Sequence, residues 1–207
     1  MSGSKAVKYP SAAGEVLREG DRLKVGTQSH LSFKTPEALG AEHKFVAGYE
    51  REQASFDKSE FGVSLERAIV EHSIFGEYRI GLLDRIFLSG AVRRDWNQFF
   101  DDATTWRTTA AILVPEAYSR IHASYGTGVT DPTFDDLFGF DPGSFVGNPS
   151  LQPEKSESYD IGLEVSLAGD RAVVDVTYFH ANLENEIVTT FDSATFLSSV
   201  SNLTADS

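Results

Sequence analysis

The chain has 207 residues, 41% hydrophobic and 12% aromatic, with a net charge of −13 and no cysteine. That charge excludes a sequence-independent nucleic-acid binder, which needs a basic face against phosphates, and the lack of cysteine excludes disulfides and thiolate metal sites. No uninterrupted apolar run reaches the length of a membrane helix, which leaves a membrane β-barrel open, since its lipid face is spread over alternate residues.

Residues 1–30 contain no apolar stretch behind a basic start, so no secretory signal is visible there. An exported protein needs one. The expectation is therefore either a cytoplasmic chain or an internal slice of a longer one. Residues 1–20 mix small, charged and polar side chains without a period and predict a linker or partial strand, with the β-domain running from 21 to 207.

From residue 21 on, a period of two dominates. The pattern predicts strands over Asp21–Phe33 and His43–Phe56, joined by a turn signal at Thr35-Pro36…Gly40. In Leu65–Leu82, Ile74, Tyr78, Ile80 and Leu82 share one face, with Glu77 and Arg79 opposite. A tight turn at 83–85 leads into Arg85–Asn97, where Ile86, Leu88, Val92 and Trp96 share a parity against Ser89 and Arg93. Thr104–Val114 follows with Trp106, Ala110, Ile112 and Val114 on one side. Beyond a turn at 115–117, Tyr118–Gly128 sets Ile121, Ala123 and Tyr125 against His122, Ser124 and Gly126.

A connection of roughly 28 residues then appears, far longer than a hairpin loop. Its Phe, Asp, Gly and Pro content predicts a shaped surface loop rather than a tether. Beyond it Tyr159, Ile161, Leu163, Val165 and Leu167 oppose Asp160, Gly162, Glu164 and Ser166. After a turn at 168–170, Ala172, Val174, Val176 and Tyr178 oppose Asp175 and Thr177, and a further hairpin is expected from Glu184–Phe191 and Thr195–Leu203.

Short turns (83–85, 115–117, 168–170) alternate with long connections (57–63, 98–103, 129–158), as in an up-and-down barrel with one short-turn rim and one long-loop rim. The strands suit a tilted membrane crossing, and Trp96, Trp106, Tyr159 and Tyr178 fall near the long-loop rim as an aromatic girdle would. A soluble meander with the apolar face as its core shows the same alternation, and the pattern alone leaves both open.

The wording of the long connection and its flanks goes further. Ala123-Ser-Tyr-Gly-Thr-Gly, Asp131-Pro-Thr-Phe-Asp-Asp-Leu-Phe, Gly147-Asn-Pro-Ser-Leu-Gln-Pro-Glu, Ser158-Tyr-Asp-Ile-Gly-Leu-Glu and Val176-Thr-Tyr-Phe resemble, in order and spacing, the signature succession of TonB-dependent outer-membrane receptors. Asp84-Arg-Ile-Phe-Leu-Ser-Gly-Ala-Val-Arg-Arg-Asp and Trp106-Arg-Thr-Thr-Ala-Ala are similar to two upstream strands of that family. The match covers about residues 63–207. Val129 stands where an aromatic is common, and Phe138 replaces the usual Tyr.

The resemblance implies an all-β, antiparallel, up-and-down transmembrane β-barrel, here partial, with about 8–10 of roughly 22 strands and no plug domain. It implies part of an active transporter in the outer membrane of a Gram-negative bacterium, for a large scarce nutrient. An iron–siderophore complex is the first expectation, with cobalamin, haem or an oligosaccharide as others. The implied partners are outer-membrane lipid, the plug domain and remaining barrel strands, the TonB energy transducer reached through N-terminal parts, and the ferric siderophore. Other classes are a passive porin-like or small closed barrel, and a soluble β-domain binding carbohydrate.

No catalytic constellation and no metal or cofactor site emerges, and no enzyme activity is expected. The five histidines lack ligand spacing, and Asp101-Asp102 and Asp135-Asp136 read as solvated loop acids. The ligand-contact candidates are Phe134, Phe138, Phe140 and Phe145. The motif residues Pro132, Phe134, Leu137, Gly147, Asn148, Pro149, Leu151, Pro153 and Glu154 read as loop scaffold, since positions shared across receptors for different ligands cannot set ligand choice.

Overall fold

The computed structural model describes residues 3–11, 14–35, 40–60, 63–139, 143–169 and 171–203. Nine strands form one antiparallel sheet: β1 (Gly3–Ser11), β2 (Gly14–Lys34), β3 (Ala41–Glu60), β4 (Val63–Leu82), β5 (Ile86–Asn97), β6 (Ala103–Val114), β7 (Ser119–Thr130), β9 (Glu154–Leu167) and β10 (Ala172–Glu184). Each strand pairs with its neighbour in chain order, and β7 pairs directly with β9 across the long connection. That connection carries a helix, α1 (Phe134–Phe138), and a two-residue strand, β8 (Phe145–Val146). β8 joins β11 (Ile187–Asp192) and β12 (Leu197–Asn202) in a second, three-stranded sheet.

Three expectations change here. Residues 1–20, expected as linker or partial strand, hold β1 and the first residues of β2. β2, β3 and β4 run to 21, 20 and 20 residues, about twice the length a tilted crossing requires. The hairpin after residue 184 exists, but it leaves the main sheet and folds over the long connection. The strands left in the main sheet still number nine.

Local chemistry sets the short-turn rim. Leu83 and Asp84 both take positive φ, 54° and 53°, in a three-residue turn where the Arg85 N–H donates to the Leu82 carbonyl at 3.0 Å. Pro115 starts a single 3-10 turn that ends on Tyr118 in left-handed geometry. Ala168 and Gly169 close the third turn, at φ 53° and 66°; Asp170 lies outside the described residues.

Parity then separates an apolar from a polar face. Ile74, Val92, Ile121, Ile161 and Leu163 all stand on one face, and each is 44–54% exposed, with no second protein layer over them. That bareness removes the soluble-domain reading, which needs those residues covered. The opposite face carries Glu50, Ser73, Glu77, Arg79, Arg93, Arg120, His122, Asp160, Glu164 and Asp175, tied in polar contacts that cross between strands except for Glu77–Arg79 within β4. Among the described residues β1 and β10 pair only with one neighbour each, so the sheet is an open, partial barrel. The chain does not close a small barrel by itself.

Candidate functional site at the outer rim

The packed apolar cluster among the described residues lies beyond the rim opposite the short turns. Phe100 from the β5–β6 connection, Leu137 from α1, Phe145 from β8, Leu151 and Val200 from β12 bury one another, with Ile69, Phe138 and Ile187 packed alongside. The long connection and the β11–β12 hairpin therefore form one cap with its own core. α1 is only five residues, too short to be stable alone. A capping box fixes its start: the Thr133 hydroxyl accepts from the Asp136 N–H, and the Asp136 carboxylate accepts from the Thr133 N–H at 2.9 Å. Asp136 thus has a structural task, as does Asp102, which pairs with Arg94 at 2.9 Å.

The motif residues knit the cap together through main chain. Pro132 and Pro153 are buried, and Leu137 and Leu151 are each 2% exposed. Gly147 passes so close to the Phe138–Gly139 backbone that a Cβ there would stand 2.6 Å from the Phe138 carbonyl carbon. The Asn148 N–H donates to the Asp136 carbonyl at 2.7 Å, and its side-chain amide donates to the Val200 carbonyl at 3.2 Å. Pro149 is exposed beside it. The Glu154 carboxylate accepts from the Ile187 N–H at 2.7 Å, holding the hairpin's first residue. From the other side Asn202 accepts from the Gln152 N–H at 2.8 Å and donates to the carbonyls of Gln152 and Asn185 at 2.9 and 2.7 Å.

The four Phe candidates part company. Phe145 sits in the cap core at 8% exposure. Phe140 lies outside the described residues. Phe134 and Phe138 stay half-exposed and join a ring cluster. Phe134 stacks on Phe56 with centroids 5.6 Å apart, and Phe138 meets Phe99 edge-on at 6.2 Å. The Arg67 guanidinium stands over the Phe138 ring at 5.3 Å. Sequence reasoning missed Phe56, Arg67, Phe99 and Phe100. The Phe99-Phe100 doublet inside a polar connection was the available signal.

Below the cap, on the polar face, lies a recess of about 320 Å³ lined by Glu71, Arg93, Asp95, Thr105, Gly128 and Asp131. Arg93 organises it, bonding Glu50 at 2.8 Å, Asp95 at 2.7 Å and the buried Ser73 hydroxyl at 2.7 Å. At the root of the long connection the carboxyls of Glu71 and Asp131 line this recess together, above the level of the rings on the other face. Loss of water, reinforced by the charge of Asp95, pushes the Glu71 carboxyl above its ordinary range, and loss of water likewise raises Asp131. No group of three or more potential metal ligands occurs among the described residues.

The rings expected as a girdle share the apolar face. Trp96, Trp106, Tyr159 and Tyr178 all stand on it at 37–59% exposure. Trp106 meets Tyr125 edge-on at 5.0 Å, and Tyr159 packs against both Tyr178 and His180. Tyr49 and His72 extend the band, hydrogen-bonded at 2.7 Å. His72 pairs with Trp96 and stands ten residues above Leu82 on β4. At about 3.4 Å per residue and a tilt near 40° that rise is about 25 Å, the height of a barrel's apolar band.

Against known proteins, residues 4–206 match the family described as TonB dependent receptor-like, beta-barrel. The chain belongs to the TonB-dependent receptor β-barrel family. The vitamin B12 transporter BtuB of Photobacterium profundum is 33% identical over 100 residues, 47% of this chain and 15% of that protein. Two solved structures share the fold. The ferric enterobactin receptor PfeA of Pseudomonas aeruginosa, a mutant in complex with enterobactin, superposes with a TM-score of 0.77 at 17% identity, over 98% of this chain and 36% of that one. The siderophore receptor PirA of Pseudomonas aeruginosa gives 0.73 at 16% identity, over 98% and 44%. This TonB-dependent receptor chain thus spans less than half the length of each relative named here. Its bare apolar face is the outward face of a barrel wall of that family, and its polar face the inward one.

Proposed function

We propose that this chain is wall and outer cap of an outer-membrane TonB-dependent transporter that takes up a ferric siderophore. The observation that carries the reading is the ring cluster of Phe56, Phe99, Phe134 and Phe138 with Arg67 beside it, where the cap meets the upper parts of β3 and β4. A bulky chelate with a negative charge and flat organic ligands fits such a shelf, since rings bury its faces and a guanidinium meets its charge. The lumenal network below gives a polar passage and a surface for a plug. The plug, the remaining strands and the energy transducer belong to the whole receptor in this reading, and the cargo crosses chemically unchanged.

A second reading, cobalamin as cargo, is favoured by one finding, the partial likeness to a protein named as a vitamin B12 transporter. Uptake by cells expressing the whole receptor separates the two. We expect radiolabelled ferric siderophore to accumulate, to stop when the proton gradient is collapsed, and to lose about tenfold in affinity in Arg67→Gln and Phe138→Ala. Accumulation of labelled cobalamin with none of the iron complex would replace the first reading by the second.

A further inference from the structure

The lipid face holds a feature that nutrient uptake does not use. Arg51 lies on β3 at the same parity as Tyr49 and opposite His72, so its side chain belongs to the apolar wall and not to the lumen. Its cross-strand neighbours on that face are Val25 and His72, and beyond His72 stands Trp96. The side-chain partner of Arg51 is the neutral Gln53, at 3.3 Å. Among the described residues no carboxylate lies within ion-pair distance of it, whereas Arg22, Arg79, Arg85, Arg93, Arg94 and Arg120 each have one.

A guanidinium on a lipid-facing wall is tolerated where it reaches the headgroup layer, and Arg51 is level with His72, at the top of the 25 Å band derived above. A second cation lies on the same face. Arg94 is two residues before Trp96 on β5, bonded to Asp102 and Thr104. Two strand spacings of about 4.8 Å and two steps of about 3.4 Å put its Cα about 12 Å from that of Arg51. Arg94 has its counter-charge, and Arg51 does not.

We propose that Arg51, flanked by Tyr49, His72 and Trp96, is a binding site for the phosphate of an anionic membrane lipid on the outer wall of the barrel. The guanidinium forks onto two phosphate oxygens, which suits arginine better than lysine. The rings beside it hold the level of the lipid's glycerol or sugar backbone, as interfacial aromatics do. The lipid's acyl chains lie along Val25 and Ile74, both exposed on the wall. The proposal rests on the lipid-facing assignment of this wall but not on the identity of the cargo.

The test uses the whole receptor in nanodiscs of phosphatidylcholine and phosphatidylglycerol, stripped stepwise with detergent and read by native mass spectrometry. We expect phosphatidylglycerol to be retained over phosphatidylcholine, and Arg51→Gln to lower that preference about fivefold, the factor for one basic residue at a membrane surface. Arg51→Lys should keep part of it, which controls for a folding defect in the first variant, and Arg79→Gln in the lumen should change nothing. Equal retention of both lipids by the native receptor overturns the site, as does a preference unmoved by Arg51→Gln. Displacement of the bound lipid by millimolar inorganic phosphate overturns the lipid assignment in favour of a soluble anion. Ferric-siderophore uptake is measured on the same variants; its loss or survival bears on the cargo and leaves the lipid result standing separately.

Discussion

Replacing Leu137 by Ala tests whether the cap is a separate cooperative unit. Leu137 is 2% exposed and touches the centre of a cluster with few other buried members, Phe100, Phe145, Leu151 and Val200. A buried Leu→Ala change costs about 2–5 kcal/mol. The cap is thin and able to collapse around the void, so about 2–3 kcal/mol is expected. At a factor of ten per 1.4 kcal/mol, the opened cap becomes about 30–150 times more populated. Protease added to intact cells carrying the whole receptor reads that population directly when reclosing outpaces cleavage. Cutting between Thr130 and Gly147 should accelerate by that factor, with the barrel itself still resistant. Leu203, 50% exposed on the same cap, serves as the control, and Leu203→Ala should stay within about 0.5 kcal/mol. A cleavage rate within about twofold of the native protein would refute the reasoning, and external cleavage at Gly169 instead would invert the topology.

The other expectations concern different links. Asn202→Ala removes two hydrogen bonds from hairpin to loop and one to Asn185 at the hairpin's root, at about 1–3 kcal/mol; amides of 187–202 should exchange at least about fivefold faster while β9 and β10 do not change. Gly147→Ala drives a Cβ against the Phe138 backbone and should cost about 1–3 kcal/mol in the same protease assay. Leu163→Arg places a charge on the lipid face near mid-wall and should cost about 2–4 kcal/mol in liposome refolding titrations. The Glu71–Asp131 tie should depend on pH. Both carboxyls are raised, so the folded rim binds more protons than the opened one. The tie is then complete below the ordinary carboxylate range and is lost as pH rises through the raised values. Protease access at the loop root should increase as pH rises above the ordinary carboxylate range, and Glu71→Gln should flatten that profile.

How far the sequence could be read depends on which physical contrast each part carries. Between the rims every strand separates lipid from lumen, so Ile161 and Leu163 alternate with Asp160 and Glu164, and the period of two is legible. Above the rim that contrast ends. The upper parts of β3 and β4 have water on both sides, and their strand continues with no apolar parity to mark it. The cap was opaque for another reason. β8 is two residues long and pairs in parallel with β12, which follows it by some fifty residues, so only tertiary contact decides it. α1 had one readable mark, Thr133 three residues before Asp136, which is a capping box in outline.

The same geometry explains why the motif identifies the family and stays silent about cargo. Asn148, Glu154 and Gly147 act on backbone: an N–H, a carbonyl or a close main-chain approach. Main chain is the same whatever side chains surround it, so these positions can serve a cap built for any ligand. In the reading proposed above, discrimination comes from the outward-facing groups beside the motif, the Phe99 and Phe138 rings and the Arg67 guanidinium of β4. Phe138 also packs against the cap core, whereas Arg67 donates to the neighbouring Glu66 carbonyl, outside the motif, and can change without unmaking the cap. An Arg67→Gln receptor that keeps native protease resistance while losing affinity would separate the two roles. Loss of both together would tie Arg67 to the scaffold instead.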